Sequence, residues 1–134
     1  MGQIVNFGVL VGLRGAEIVE SVRLINDKEA FPKYYSYETM TLSHYKFKQF
    51  LRTTKKAFLS FATPEVLAIV QNMDNVPSYN AIRLACRKRG ITCDIRFARK
   101  IHGSWLHQHG GITAEDVDFL QGMIKALQCL AAII

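Results

Sequence analysis

Leu42-Ser43-His44-Tyr45-Lys46-Phe47-Lys48-Gln49-Phe50-Leu51-Arg52-Thr53-Thr54-Lys55-Lys56-Ala57-Phe58-Leu59-Ser60-Phe61-Ala62-Thr63 is the stretch on which the fold class turns. Residues 42–51 and 57–62 are rich in aromatic and branched side chains and predict two strands. The five polar residues between them, Arg52 to Lys56, have hairpin length. Period-two alternation along the first strand puts Lys46 and Lys48 on one face. Thr63 then reads as an N-cap, with Pro64 at the first helical position and Glu65 behind it. The hairpin therefore runs into a helix whose apolar face is Val66, Leu67, Ile69 and Val70.

Helices flank this hairpin on both sides. Upstream, Ile4, Phe7, Leu10, Val11, Ile18, Val22 and Ile25 recur at helical spacing and predict a helix over 3–25. Gly8 and Gly12 inside it each cost about 1 kcal/mol against alanine. They predict a close neighbour or a break near residue 12. Residues 26–41 are polar and aromatic, with Pro32 and the run Tyr34-Tyr35-Ser36-Tyr37, and read as a loop or insertion. Downstream, Pro77-Ser78 opens a helix over 79–89 that Gly90 closes. Asp94 caps the next, which runs to His109 and stops at Gly110-Gly111. Thr113 caps another, with Glu115 and Asp116 in its positive first turn and Gly122 at its end. Trp105 is expected in the core beside Ile101. The expected fold class is mainly α with a small antiparallel β-sheet, α+β, as one domain over 1–134.

The composition agrees. The chain has 134 residues, 49% hydrophobic and 21% charged, which excludes a disordered tail or a fibre. Cys86, Cys93 and Cys129 are an odd count and read as reduced thiols, not a disulfide framework. The N-terminus lacks the charged region and cleavage site of a secretory signal. Residues 4–25 carry Arg14, Glu17, Glu20 and Arg23, too many charges for a lipid span. An intracellular protein with no membrane partner is expected. His107 and His109 are two apart and do not share a helix face, His102 stands alone, and Cys86 and Cys93 lack paired-ligand spacing. No metal and no other cofactor is expected.

Charge points to a partner. Lys plus Arg number 17 against 11 acids, a net charge of +6. Lys46, Lys48, Arg52, Lys55 and Lys56 lie together with no acid among them. Arg83, Arg87, Lys88, Arg89, Arg96, Arg99 and Lys100 lie together with Asp94 alone. Such segregation predicts a surface that tracks nucleic-acid phosphates, with no small-molecule substrate. Metal-free phosphoryl transfer needs guanidinium forks on the non-bridging oxygens, a proton donor for the leaving alkoxide and a hydroxyl nucleophile. Candidates for the first two exist. Arg14 follows a glycine break, with Glu17 one turn on to orient it. Lys55 lies in the hairpin turn. Arg96 and Arg99, three apart, share a helix face.

In this order the residues resemble a known family, the tyrosine recombinases, and within it the integrases of archaeal viruses and integrated elements. Gly12-Leu13-Arg14-Gly15-Ala16-Glu17 is similar to the family's first box, and Arg96-Phe97-Ala98-Arg99 to its second. Arg52-x-x-Lys55, ahead of Ala57-Phe58-Leu59-Ser60-Phe61, looks like the hairpin that carries the family's catalytic lysine. Asp118-Phe119-Leu120-Gln121-Gly122 looks like the approach to its last boxes. The resemblance covers roughly residues 4–122 and implies the family's catalytic-domain fold and DNA strand exchange through a 3′-phosphotyrosyl link. It implies Arg14, Lys55, Arg96 and Arg99 as the catalytic cations, and duplex DNA and other integrase protomers as partners. It leaves Lys46, Lys48, Arg52, Lys56, Arg83, Arg87, Lys88, Arg89 and Lys100 for the DNA backbone.

Two positions depart from the family. Met123 stands where a cation on the phosphate is expected, and Leu130-Ala131-Ala132-Ile133-Ile134 where the nucleophilic tyrosine is expected. No tyrosine follows Tyr79. The expectation is a truncated or degenerate integrase catalytic domain without the N-terminal DNA-binding domains. It would bind duplex DNA without cleaving it. One rival is a non-catalytic DNA-binding remnant. Another is a basic RNA-binding module in which Tyr34, Tyr35 and Tyr37 stack bases.

Overall fold

The computed structural model describes residues 2–53, 55–90, 98–109, 113 and 116. The chain begins with two helices, α1 over Gly2–Val11 and α2 over Gly15–Ile25. The apolar periodicity of 3–25 is thus real but split. Gly12 takes φ +77°, a left-handed conformation open to glycine, and its N–H still donates to the Gly8 carbonyl. The close neighbour exists too: a Cβ on Gly8 would run into the Ile18 side chain. The two glycines let α1 fold back on α2, so that Ile4, Phe7 and Val11 meet Ile18, Val19, Val22 and Ile25 in one core. A Cβ on Gly12 would also strike the His102 ring. Gly12→Ala should therefore cost about 2 kcal/mol from the left-handed backbone and the displaced ring together. Urea denaturation measures it, and a loss under half a kcal/mol would show that this turn is not under constraint.

Residues 26–41 are not a plain loop. They contain α3 over Phe31–Tyr34 and β1 over Tyr35–Ser36. Tyr34 and Tyr35 are buried, at 0% and 5% exposure. Tyr35 stacks on Phe31 and donates its hydroxyl to the Ala62 carbonyl. Polar flanks hid these elements, because each is too short to show a period. Two of the three tyrosines offered as base-stacking surface are core residues, and Tyr37 alone is exposed.

The three-stranded antiparallel sheet has the order β1-β2-β3, with β2 over Thr41–Ser43 and β3 over Leu59–Phe61. Thr41 pairs with Phe61, Leu42 with Ser60 and Ser43 with Leu59. The expected strand over 42–51 stops at Ser43. Two 3₁₀ turns follow, His44–Lys46 and Lys48–Phe50. The reason is burial at period three. His44 and Phe50 are fully buried and Phe47 packs against the core. A 3₁₀ turn eclipses i and i+3 and delivers all three inward. A continuous strand would have carried Lys46 and Lys48 into the core with His44 and Phe50. Both lysines are instead exposed, on separate turns rather than one strand face. The hairpin closes again at the Leu51–Lys56 bridge, as its length implies.

Two of the remaining helices start where their caps predict. Thr63 Oγ1 accepts from Val66 N–H at the head of α4, Pro64–Ala68, of which Leu67 is buried. Ser78 caps α5, Tyr79–Lys88, and Gly90 follows it at φ +69°. The last described helix is α6, Ala98–His109, packed along α1. Trp105 is not a core residue. It is 56% exposed and stacks on His109, while Ile101 is 41% exposed. The buried positions of α6 are Ala98 and Gly103, small residues that permit close approach to α1. Thr113 accepts from Asp116 N–H, as a cap would. Asp94, Arg96, Met123 and the 118–122 run lie outside the described residues. The architecture is mainly helical with a small antiparallel sheet, and no described helix is long and apolar enough to cross a membrane.

A chain of polar side chains crosses the core. Ser21 Oγ, the Tyr34 hydroxyl, His44 and Ser60 Oγ form three contacts of 2.7 Å each. A neutral imidazole has one donor and one acceptor, and run in either direction the chain satisfies both. Nothing in the sequence pattern marked these four residues as partners. They lie on α2, α3, the first 3₁₀ turn and β3.

Candidate nucleic-acid interface

The site is built on the α1–α2 turn. Leu13 is buried and fixes the turn to the core, which leaves Arg14 as the N-cap of α2 with extended backbone. Its N–H donates to Glu17 Oε1 at 3.0 Å, and its Nη1 to Glu17 Oε2 at 3.1 Å. Glu17 is 2% exposed, so the carboxylate holds the guanidinium from the protein side. The arginine is also set at a helix N-terminus, where peptide dipoles favour anions. Arg14 thus carries its charge with the side chain already ordered.

The hairpin comes to the same place. Arg14 Nη1 reaches the Lys56 carbonyl at 3.4 Å. Arg52 Nη2 donates to Glu17 Oε2 at 3.1 Å. One buried carboxylate therefore serves two arginines, and the local charge stays positive. Lys55 is exposed in the same turn and has no acidic partner among the described residues, and Lys56 is half-buried. Arg52 is tied down and not a freely solvated cation. Lys46 donates to the Lys33 carbonyl and lies over the Tyr45 ring, away from this turn. Lys48 is exposed on the next 3₁₀ turn.

Helix α5 adds a third element. The Tyr79 ring sits where a Cβ on Gly15 would stand, beside Arg14. The Arg83 guanidinium lies 5.7 Å from the centre of that ring, a cation–π distance. Arg87 is one turn further on the same side, and Arg87, Lys88 and Arg89 are exposed. Tyr79 is thus the tyrosine packed against the Arg14 turn. Tyr34 and Tyr35 are buried with their hydroxyls bonded elsewhere.

Helix α6 reaches the turn through His102. Its Nδ1–H donates to the Val9 carbonyl at 2.9 Å, and its ring covers Gly12. Burial pushes its pKa down, and the Val9 bond opposes that. Arg99, half-buried, is one turn earlier on the His102 face, and Lys100 beside it is exposed. The structure therefore brings Arg14, Arg52, the Lys55 turn, Tyr79 and Arg83 together. Sequence reading missed His102 and Tyr79; a positive-φ glycine and a helix-opening glycine were the signals that large rings pack there.

Of two cavities lined by described residues, one lies away from this turn and the other is lined by its Gly12 and by His102. One of about 540 Å³ is lined by Asn26, Asp27, Gln71 and Asp74, at the far end of α2. Eleven helical residues separate it from Arg14, about 16 Å. An apolar cleft of about 230 Å³ lies between Leu10, Phe61, His102 and Trp105. Arg14 is partly covered, at 16% exposure, while Arg52 and Lys55 beside it are exposed and offer positive charge to an anionic partner. Compared with known proteins, the chain matches no family model, no curated protein and no solved structure.

Proposed function

We propose that this chain binds the phosphate backbone of duplex DNA through the Arg14 turn, as a catalytic-domain-like relative of the tyrosine recombinases with no tyrosine among residues 80–134. The observation that carries the reading is Arg14 itself. It is oriented by a buried carboxylate, capped on a helix N-terminus, and joined by its own hydrogen bond to the turn that presents Lys55. A guanidinium fork of this kind can take two phosphate oxygens. An ammonium beside it can neutralise a third or protonate a leaving oxygen. Arg87, Lys88, Arg89 and Lys100 are exposed and available to further phosphates.

Binding and cleavage separate chemically. Cations lower the barrier to phosphoryl transfer only when a nucleophile attacks, and no tyrosine follows Tyr79 in this sequence. Fluorescence anisotropy with a 20-bp duplex and a single-stranded RNA of equal length tests the binding reading. The duplex should bind at least about tenfold more tightly, and Arg14→Gln should weaken it about tenfold, the value of one charge-assisted bond. RNA preference would replace the reading with a single-strand-binding one. A nicked duplex tests the cleavage statement: no covalent protein–DNA band should survive a denaturing gel. A band mapped to Tyr79 would show that the ring on Gly15 can serve as nucleophile.

A further inference from the structure

We infer that Arg52 is a positioning residue that latches the Lys55 turn to the Arg14 loop, an inference that rests on the phosphate-binding reading. Among the described residues, two polar contacts join this turn to α2. One is the 3.4 Å bond from Arg14 Nη1 to the Lys56 carbonyl, long for a hydrogen bond. The other is the 3.1 Å ion pair of Arg52 with Glu17. The second is shorter and its acceptor is a buried carboxylate. Lys55 itself has no hydrogen bond or ion pair among the described residues, so its position follows from where the backbone of the turn is held. The Leu51–Lys56 bridge and the bond from Ala57 N–H to the Phe50 carbonyl close the base of the turn. Neither faces α2. Among the described residues of the turn, Arg52 is the one whose side chain reaches the carboxylate that also orients Arg14. Glu17 thereby registers both cations with one anchor. The arginine is committed inward, and the lysine is left free for the ligand.

Two measurements on the full chain test the latch. Hydrogen exchange of the Ala57 amide in free protein reads the turn directly. Arg52→Gln should speed it about tenfold, while the Asn26 amide, bonded to the Val22 carbonyl at the other end of α2, stays unchanged. Unchanged Ala57 exchange overturns the inference. The second measurement is a double-mutant cycle in binding a 20-bp duplex. Arg52→Gln and Lys55→Gln should each weaken binding about fivefold, and the double variant no more than about sevenfold. Losses that multiply would make Arg52 an independent phosphate ligand and overturn the latch. Wild-type protein that binds no duplex would bring down the phosphate-binding reading alone, because Ala57 exchange still decides whether Arg52 holds the turn.

Discussion

Duplex DNA affinity should fall about a thousandfold when salt is raised from 50 to 200 mM. Lys48, Lys55, Arg87, Lys88, Arg89 and Lys100 are exposed and have no acidic partner among the described residues. Each such cation that meets a phosphate releases close to one condensed counterion. Six contacts give a slope of about −5 in log K against log salt, and a fourfold rise in salt then costs about three decades. Arg14 and Arg52 are excluded from this number because Glu17 already neutralises part of their charge. The slope also locates the surface. Replacing Arg87 and Arg89 together by glutamine should lower its magnitude by about two, if both touch phosphate. Replacing Arg23, which pairs with Glu20 on α2, should leave it unchanged. A flat titration would remove the phosphate-backbone reading, since no other interaction of this surface depends so steeply on salt.

Acid should unfold the protein early, through one buried histidine. His44 is fully buried between Tyr34 and Ser60, and burial lowers its pKa to about 3. An unfolded histidine takes up its proton near pH 6.5. Between those values the unfolded state holds more protons than the native state, so stability falls as pH falls. The contribution is fully present above about pH 6.5, and about 3 kcal/mol of it is gone by pH 4. That is a large share of a small domain's total stability. His102, whose pKa burial also lowers, acts with the same sign. The measurement is urea denaturation across pH 4 to 7, with the His44 ring proton followed by NMR. A His44 shift that titrates near pH 6 in folded protein would show the ring to be hydrated, and the acid sensitivity would then need another source.

The hydroxyl–imidazole chain around His44 and the cationic turn at Arg14 were unequally legible in the sequence. Arg14 and Glu17 are three apart at a helix start, and local geometry alone makes them meet. The arginine–glutamate contact follows directly from spacing. Arg52 and Glu17 are 35 residues apart, so their pair needed the hairpin to fold back on α2. Tyr79 and His102 needed more, since each is placed by a glycine in a distant segment. A sequence shows that a glycine is present; it does not show which ring occupies the space.

By itself the sequence determined the local features. The caps at Thr63 and Ser78, the stop at Gly90, the hairpin turn between Leu51 and Lys56 and the helix–sheet composition all come from interactions within a few residues. Tertiary structure alone decided the rest. It broke the expected strand after Ser43, because burying His44, Phe47 and Phe50 together outweighs the alternation that would have buried Lys46 and Lys48. It turned Tyr34 and Tyr35 inward, because Ser21, His44 and the Ala62 carbonyl satisfy their hydroxyls there. It left Trp105 mostly exposed, stacked on His109 at the rim of the cleft it lines with Leu10 and Phe61. In each case one residue's environment is set by partners far along the chain, and desolvating a charge or an unpaired polar group costs more than any local preference supplies.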